Sequence, residues 1–426
     1  MIDTKPRGKS NLSWGWIIVG AATLMTLGFY GASGSFGVFL KPIEDSLQIT
    51  RTLASSAMST FMVLTGITGI ICGWFTDRYG PRIVIGVGTV VGFAGYFLAS
   101  QSNSLWQIHL SLGVLAGASM GTCFSPLIAT ISKWFNGKQR VLAVGLLTVG
   151  IALGQMSLPV LIAHLIVSNG WHSAYVFLAI AIPVTAIPAI IFLGKKRDTK
   201  TELNQSSLKI ESTAVKDHGF THEWSFAEVI RTLPFWLFFI MGFVTALGFY
   251  IVVVHIVAYA SDLGIVDTDA ALILTFVNIG VILSLLLVWY LVRIVSNRFA
   301  LIIVFGLQAA ALFSLMGAAS FYGLAAIGLL YGIGFGGSNT VRLATIPEVF
   351  GTKSAGTIIG LASVAWSIGG IIGPVLAGYI FDVSHSYNIA FLVGGLMMIA
   401  GATGGLLLKT PSKITARNIP VADQDL

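Results

Sequence analysis

One arginine, Arg342, lies well inside a long apolar stretch of this sequence. An ionised side chain in the hydrocarbon of a membrane costs at least a few kcal/mol unless it faces water or a partner. Because a guanidinium is a planar fork of donors that matches a carboxylate, this position predicts an anchor for an anionic substrate. The alternative is a side chain that reaches the lipid headgroups from about two helical turns inside the bilayer.

A histidine, His255, lies in another apolar stretch, six residues before Ser261. A histidine can donate a hydrogen bond to a carboxylate or take up a proton near neutral pH. The alternative is a histidine that only hydrogen bonds between helices, and the same alternative applies to every polar side chain inside a bilayer. Weaker candidates for a cavity lining lie in further apolar stretches: Tyr30, Ser33, Ser125, Thr148, Gln155, Asn278 and Asn339.

The elements that carry these residues have the composition of membrane spans. Of 426 residues, 55% are hydrophobic and only 10% are charged, against about 25% charged in a soluble domain. A helix that crosses about 30 Å of hydrocarbon needs about 20 mostly apolar residues. Twelve such runs predict an all-α membrane protein with spans at 14–40, 53–76, 83–100, 105–133, 141–167, 172–193, 234–261, 268–292, 299–319, 322–349, 355–379 and 387–408.

The runs form two groups of six, which predicts an N-terminal half at 1–193, a polar cytoplasmic linker at 194–233 and a C-terminal half with a cytoplasmic tail at 234–426. If the N-terminus is cytoplasmic, only Lys41 and Arg51 of the 24 Lys and Arg residues fall outside and Arg342 lies within a span, which leaves 21 in or beside cytoplasmic segments. This distribution follows the positive-inside rule. We therefore predict a multi-pass protein of the cytoplasmic (inner) membrane with both termini cytoplasmic.

The two halves also match each other in sequence at an offset of 215 or 216 residues. The string Leu127-Ile-Ala-Thr-Ile aligns with Arg342-Leu-Ala-Thr-Ile, and Pro159-Val-Leu aligns with Pro374-Val-Leu. Duplication of a six-helix unit leaves such a pattern. Span 4 therefore corresponds to span 10, and Arg342 has a leucine at the equivalent position.

Several strings carry a resemblance to a known family. Twelve spans in two halves, with Asp77-Arg-Tyr-Gly-Pro-Arg82 after span 2 and a glycine- and proline-rich span 5, resemble the major facilitator superfamily over essentially the whole chain. Four shorter strings resemble its oxalate/formate antiporter and monocarboxylate transporter branch: Trp14-Gly-Trp16, Gly37-Val-Phe39, Trp134-Phe135 followed by basic residues, and Gly170-Trp171. The resemblance implies the major facilitator fold, in which two halves rock around a central site.

The same resemblance implies roles for particular residues. Span 10 would line the cavity, and His255 would face the substrate. The charged loop after span 2 would hold the inner gate closed, through Asp77, Arg78, Gly80 and Arg82.

The chain departs from this branch at its usual anion anchors. Branch members usually have an Asn-x-x-x-Arg string in span 8, and here Val281 and Leu285 occupy its two ends. Trp366 stands where some oxalate-type relatives have a lysine in span 11, so it becomes a candidate to line the substrate site. Either Arg342 has taken over the charge role, or the substrate is less anionic, larger or neutral.

The sequence contains no Walker-type phosphate loop, zinc-ligand cluster or hydrolase nucleophile motif, so we expect no enzyme, cofactor or metal. The first hypothesis is a secondary active transporter that moves a small organic anion, a monocarboxylate or related carboxylate, by alternating access. It would be coupled to protons or work by exchange, that is, by symport or antiport. The second is an exporter or facilitator of a larger weakly charged organic molecule. The third is a transporter-like membrane sensor. The expected partners are the substrate and the lipid bilayer, with no nucleic acid and a monomeric functional unit.

Overall fold

A computed structural model describes residues 9–135, 137–193, 226–350 and 355–408, and its regular structure within these ranges is helical. The helices, numbered in chain order, are α1 Lys9–Gly34, α2 Phe36–Leu47, α3 Arg51–Tyr79, α4 Pro81–Ala99, α5 Leu105–Ile108, a π-helix at His109–Ala116, α6 Gly117–Gly121, α7 Phe124–Trp134, α8 Gly137–Phe192, α9 Phe226–Val229, α10 Leu233–Asp262, α11 Asp267–Ile294, α12 Asn297–Leu315, α13 Phe321–Phe350, α14 Ala355–Ser384 and α15 Asn388–Leu407.

Eleven helical segments of the described residues are long and apolar enough to cross a membrane. One of them, Leu142–Phe192, has 51 residues and would measure about 77 Å as one straight helix, more than twice the thickness of the hydrocarbon. Gly170 breaks it with φ 80° and ψ 162°, a conformation that costs glycine little. Because this segment supplies two spans, the predicted all-α protein with twelve spans is confirmed.

Two predicted spans are less regular than their sequences suggest. Span 1 is interrupted at Ser35, between α1 and α2, and continues to Leu47. Span 4 contains the π-helix and a turn at Thr122 before α7. At both interruptions a hydroxyl donates to a backbone carbonyl, Ser35 to Gly31 and Thr122 to Ser119, and such bonds compete with the helical ladder.

The predicted linker and the predicted tail lie mostly outside the described residues. The structure describes the linker only from residue 226 onward, and the described residues end at 408, where the predicted tail begins. The boundaries of the two halves therefore stay a prediction.

Glycines at equivalent positions of the two halves make equivalent close contacts. A Cβ on Gly117 would lie 2.7 Å from the carbonyl oxygen of Phe61 in α3. The glycine 215 residues later, Gly332, lies in the same way against the carbonyl of Val277 in α11. Small residues let helix backbones approach this closely. The repeat seen in the sequence therefore corresponds to a repeated packing of helices.

The two halves meet near one end of the bundle. We call this the Arg51 end, because α3 begins there, and the opposite end, where α3 finishes, the Asp77 end. Between α3 and α14, the Ser59 hydroxyl donates to the Ile371 carbonyl at 2.5 Å. Between α8 and α11, the Thr275 hydroxyl donates to the Met156 carbonyl at 2.8 Å. These two pairs of helices form the seams between the halves.

Toward the Asp77 end both seams open. Ile70 lies on the same face of α3 as Ser59, eleven residues later, and is 78% exposed. Leu286 lies on the same face of α11 as Thr275, also eleven residues later, and is 70% exposed. Since no helix of the other half covers these two side chains within the described ranges, the bundle is closed at the Arg51 end and open at the Asp77 end.

Candidate functional site

Arg342 lies in α13, eight residues before the end of that helix, about 12 Å from the Asp77 end. Helical side chains point back toward the N-terminus of their helix, which for α13 is the Arg51 end. The Arg342 guanidinium accordingly turns toward the middle of the bundle, where Nη2 donates to Asn339 Oδ1 at 3.0 Å. Its side chain is only 5% exposed. In this conformation Arg342 therefore does not reach for the nearer headgroups.

The guanidinium of Arg342 has little electrostatic compensation. Asn339 is neutral, and the buried Nε atom of Arg342 has no hydrogen-bond partner among the described residues. The ion pairs within the described part of the chain involve Lys41 or Arg51 instead. An additional acceptor, or an anion, would supply the hydrogen bond and the negative charge that this group lacks.

A group of aromatic rings lies farther along the same face of α13. Phe335, seven residues before Arg342, stacks on Phe249 of α10 with 4.3 Å between ring centroids. Trp366 of α14 lies 6.0 Å from Phe335 and 6.2 Å from Tyr250. We call these four residues the aromatic cluster. It lies about 10 Å from Arg342 along the helix axis, so Trp366 is placed near the predicted anchor.

Two residues predicted from α1 are separated by the structure. Tyr30 packs edge-on against Phe124 of α7, with 6.2 Å between ring centroids. Ser33 instead lines a small cavity inside the N-terminal half, together with Tyr96 and Tyr175. The two residues thus have different neighbours within the N-terminal half, and a contact of either with substrate stays a prediction.

The other polar candidates lie around the two seams. Ser125 is exposed and faces Gly73 of α3. Thr148 is exposed on α8. It lies two helical turns before Gln155, closer to the open end of the seam between α8 and α11. Asn278 is buried and donates to the Gln155 carbonyl at 3.3 Å, so in this conformation it helps to close that seam.

His255 is fully buried in α10, with both ring nitrogens engaged. Nε2 lies 2.8 Å from the Pro374 carbonyl oxygen, which can only accept, so Nε2 carries the hydrogen. Nδ1 lies 3.0 Å from the Tyr387 hydroxyl and accepts from it if the ring is neutral. The neutral ring is favoured because the Tyr387 hydroxyl also contacts the Arg51 cation, at 3.1 Å. A contact of His255 with substrate stays a prediction and requires these bonds to change.

Tyr387 connects His255 to a charged group that the sequence analysis did not identify as a site. Arg51 is only 4% exposed, and its Nε donates to Glu44 at 2.8 Å. Its Nη1 donates to Asp262 at 2.5 Å and to the Tyr387 hydroxyl at 3.1 Å. The guanidinium also lies 3.8 Å from the centroid of the Phe381 ring.

Asp382 adds a second charged contact at the same place. Its carboxylate accepts from the backbone N–H of Arg51 at 3.0 Å and of Thr52 at 2.9 Å, and from the Thr52 hydroxyl. An acidic residue of one half therefore caps the first turn of α3 in the other half. We call this group the Arg51 cluster; its members are Glu44, Arg51, Asp262, Phe381, Asp382 and Tyr387.

The available sequence signal for the Arg51 cluster was the placement of charge. Lys41 and Arg51 are the two basic residues predicted outside, and acidic residues stand at the outer ends of the neighbouring spans. Lys41 in fact lies 3.3 Å from Asp262. From the sequence, these two basic residues indicated only the orientation of the chain in the membrane. Nothing in the sequence showed that they face acidic residues of the other half.

This arrangement of membrane-spanning helices has a counterpart in known proteins. The family model described as "Major Facilitator Superfamily" matches residues 22–316 and 238–424. The chain belongs to the major facilitator superfamily. Among curated proteins, this transporter is 27% identical over 401 residues to monocarboxylate transporter 13 of Bos taurus, covering 93% of this chain and 89% of the relative. It is 26% identical over 406 residues to monocarboxylate transporter 2 of Homo sapiens, covering 91% and 84%.

The loop predicted to form the inner gate of this major facilitator protein lies at the open Asp77 end. Asp77, Arg78 and Arg82 are exposed, and Gly80 has a φ of 85° between α3 and α4. Arg78 lies 5.5 Å from the ring centroid of Trp74. The ion pairs within the described ranges do not include these three charged residues. Their gating role stays a prediction for a conformation in which this end is closed.

Proposed function

We propose that this major facilitator transporter carries a small monocarboxylate or a related carboxylate, and that Arg342 binds its carboxyl group. The observation that carries the proposal is a guanidinium that is 5% exposed, turns toward the middle of the bundle and has a neutral partner in Asn339. A buried cation without an acidic partner is costly. A bound carboxylate would supply the missing charge and acceptors. The similarity to proteins named monocarboxylate transporters supports the same substrate class.

The surroundings of Arg342 favour one carboxyl group on an apolar body. The aromatic cluster is about 10 Å away along α13, and the guanidinium leans toward it. We propose that a carboxylate bound at Arg342 would direct a short, planar or branched apolar group toward Trp366. Where branch members usually have a second cationic anchor, Leu285 lies exposed on the open part of α11. We therefore propose that monocarboxylates bind better than dicarboxylates.

We propose that the open Asp77 end faces the cytoplasm and the Arg51 end faces outside. The support is the charge asymmetry: among the 24 Lys and Arg residues, the two predicted outside, Lys41 and Arg51, both lie at the Arg51 end. With this orientation the structure is an inward-open conformation. Rocking of the halves would carry the bound anion across the bilayer, coupled to a proton or to exchange with a second anion.

Ligand binding to the purified protein tests the proposal. A carboxylate that binds the folded state should raise the apparent melting temperature, and we expect this from monocarboxylates with an apolar body. Arg342→Gln should weaken binding about thirty-fold or more, because a lost charge-assisted contact costs roughly 2 to 5 kcal/mol. Arg342→Lys should show a partial loss, since lysine keeps the charge but not the planar fork.

Arg293→Gln is the matched control. Arg293 is exposed on α11 and stacks on Trp289 at 3.5 Å, away from the proposed site. This variant should bind carboxylates as the parent does. Near-parental binding by folded Arg342→Lys and Arg342→Gln proteins would place the anion site elsewhere.

A second candidate substrate is a larger, weakly charged organic molecule. The observation that favours it is Leu285, which gives the open seam an apolar lining where relatives usually have an arginine. Pairs of carboxylates and their uncharged primary amides distinguish the two candidates. If the amide of each pair stabilised the protein as well as the acid did, the second candidate would replace the first.

A further inference from the structure

The Arg51 cluster joins the two halves of the transporter at its closed end. We propose that this cluster is the gate that holds the Arg51 end closed, and that its release opens the central site toward that side. The inference rests on the alternating-access movement proposed above. It does not depend on which substrate is carried.

The first argument is the division of the partners of Arg51 between the halves. Glu44 and Arg51 belong to the N-terminal half, whereas Asp262, Tyr387 and Phe381 belong to the C-terminal half. Separation of the halves therefore removes three contacts of one buried guanidinium at once. Because a buried charge without partners is costly, the paired and unpaired arrangements are two distinct states.

The second argument is the cap that Asp382 forms on α3. Separation of the halves would leave the N–H groups of Arg51 and Thr52 without this carboxylate. Within its own half, the first turn of α3 keeps the hydroxyl of Thr50, which accepts from the Leu53 N–H at a long 3.4 Å. Asp382 lies in α14, the same helix that contacts α3 through Ile371. The cap and the seam must therefore open together.

The third argument concerns Glu44, which lies in the same half as Arg51. Glu44 stays beside Arg51 when the halves separate, so it supplies a counter-ion in the open arrangement. Three acidic residues contact the same segment of α3, but two of them, Asp262 and Asp382, stabilise only the closed state. Removal of the charge at Asp262 or at Asp382 should therefore open the Arg51 end, whereas removal of the charge at Glu44 should not.

Cysteine accessibility in the purified protein, without substrate, measures the state of the gate. Ser59→Cys places a thiol in the closed part of the seam, and Ile70→Cys places one in the open part. Cys72 is partly exposed and is replaced by serine in both reporters, while Cys123 is buried. A maleimide should label the Ser59→Cys reporter slowly and the Ile70→Cys reporter quickly.

Asp262→Asn and Asp382→Asn preserve the side-chain shape and remove one charge. We expect each to increase the labelling rate of the Ser59→Cys reporter about tenfold or more and to decrease that of the Ile70→Cys reporter. Arg51→Gln should act in the same direction. Glu44→Gln removes the same charge beside the same arginine within one half, and it should leave the Ser59→Cys reporter slow.

Three outcomes would overturn the proposal. The first is parental labelling in folded Asp262→Asn and Asp382→Asn proteins. The second is faster labelling at residue 59 without slower labelling at residue 70, which would mean local loosening rather than movement of the halves. The third is an effect of Glu44→Gln equal to that of Asp262→Asn, which would make loss of charge, and not loss of contact between halves, the cause.

Discussion

At the scale of single residues, two buried arginines show two solutions to the same physical problem. Arg51 has Glu44 and Asp262 as ionic partners and a tyrosine hydroxyl as a further acceptor. Arg342 has one neutral partner, Asn339. A buried charge with ionic partners is compensated, whereas one without an acidic partner is costly until another group supplies the opposite charge. This difference is why we assign a gate to Arg51 and substrate binding to Arg342.

His255 provides a prediction at this scale. If a proton on His255 drives transport, activity should depend on pH between about 6 and 7.5, and His255→Gln should remove that dependence. The hydrogen bonds to Tyr387 and Pro374 instead predict a ring that stays neutral. We therefore expect His255→Gln to lower the transport rate without a change in its pH profile and with carboxylate affinity within about two-fold of the parent's.

Tyr387→Phe is the matched control for His255→Gln. It removes the hydroxyl that links His255 to Arg51 and keeps the ring that packs on Phe381. Both variants should show the same kind of defect. A large loss of carboxylate affinity in His255→Gln but not in Tyr387→Phe would instead support the sequence prediction that His255 contacts the substrate.

At the scale of helices, glycine positions decide how closely pairs of helices pack. Gly154 of α8 lies against the carbonyl oxygen of Leu27 in α1, and its repeat equivalent, Gly369 of α14, lies against the carbonyl of Phe243 in α10. In contrast, no atom of the described residues outside the local backbone of α8 lies within 4 Å of the place where a Cβ on Gly145 would lie. The same residue type thus has a packing role at one position of α8 and none at another.

This contrast predicts opposite effects of one substitution. Gly154→Ala places a methyl group against the backbone of α1 and should destabilise the bundle by about 1 to 3 kcal/mol. Gly145→Ala should leave stability unchanged or raise it, because alanine favours a helix over glycine by about 1 kcal/mol. The apparent melting temperature of the two purified variants measures this. Equal melting temperatures would show that α1 and α8 adapt to the added group.

At the scale of the whole molecule, the two seams give the transporter one closed and one open end. Ser59 and Thr275 hold the seams near the Arg51 end, while Ile70 and Leu286 are uncovered toward the Asp77 end. Rotation of one half against the other would open the seams at the Arg51 end and close them at the Asp77 end. The Arg51 cluster would then open while the exposed loop at Asp77 closes.

The proposed orientation makes a prediction about labelling in intact cells. A cysteine introduced at Ser206, in the predicted linker outside the described residues, should not react with a membrane-impermeant thiol reagent, because we place the linker in the cytoplasm. A cysteine at His385, exposed in the turn after α14 at the Arg51 end, should react. Reaction of the Ser206→Cys protein in intact cells would show that the orientation or the span count is wrong.

The sequence alone determined the twelve spans and the internal repeat. Both follow from local properties: the bilayer sets the length of each apolar run, and duplication leaves equal spacing. The charge of Arg342 inside span 10 was visible for the same reason, since every other residue from 322 to 347 is apolar or neutral. Breaks such as those at Ser35 and Thr122 were not predicted, because single hydroxyl-to-carbonyl bonds hardly change the composition of a span.

The tertiary structure decided everything that depends on residues far apart in the chain. Arg51 and Asp262 are 211 positions apart, and Arg51 and Asp382 are 331 apart, so no spacing rule could pair them. The direction of the Arg342 side chain and the two hydrogen bonds of His255 also depend on neighbouring residues in space. Which end is closed is a property of how two rigid halves lie against each other. The sequence is the same in every such arrangement, so it cannot distinguish one from another.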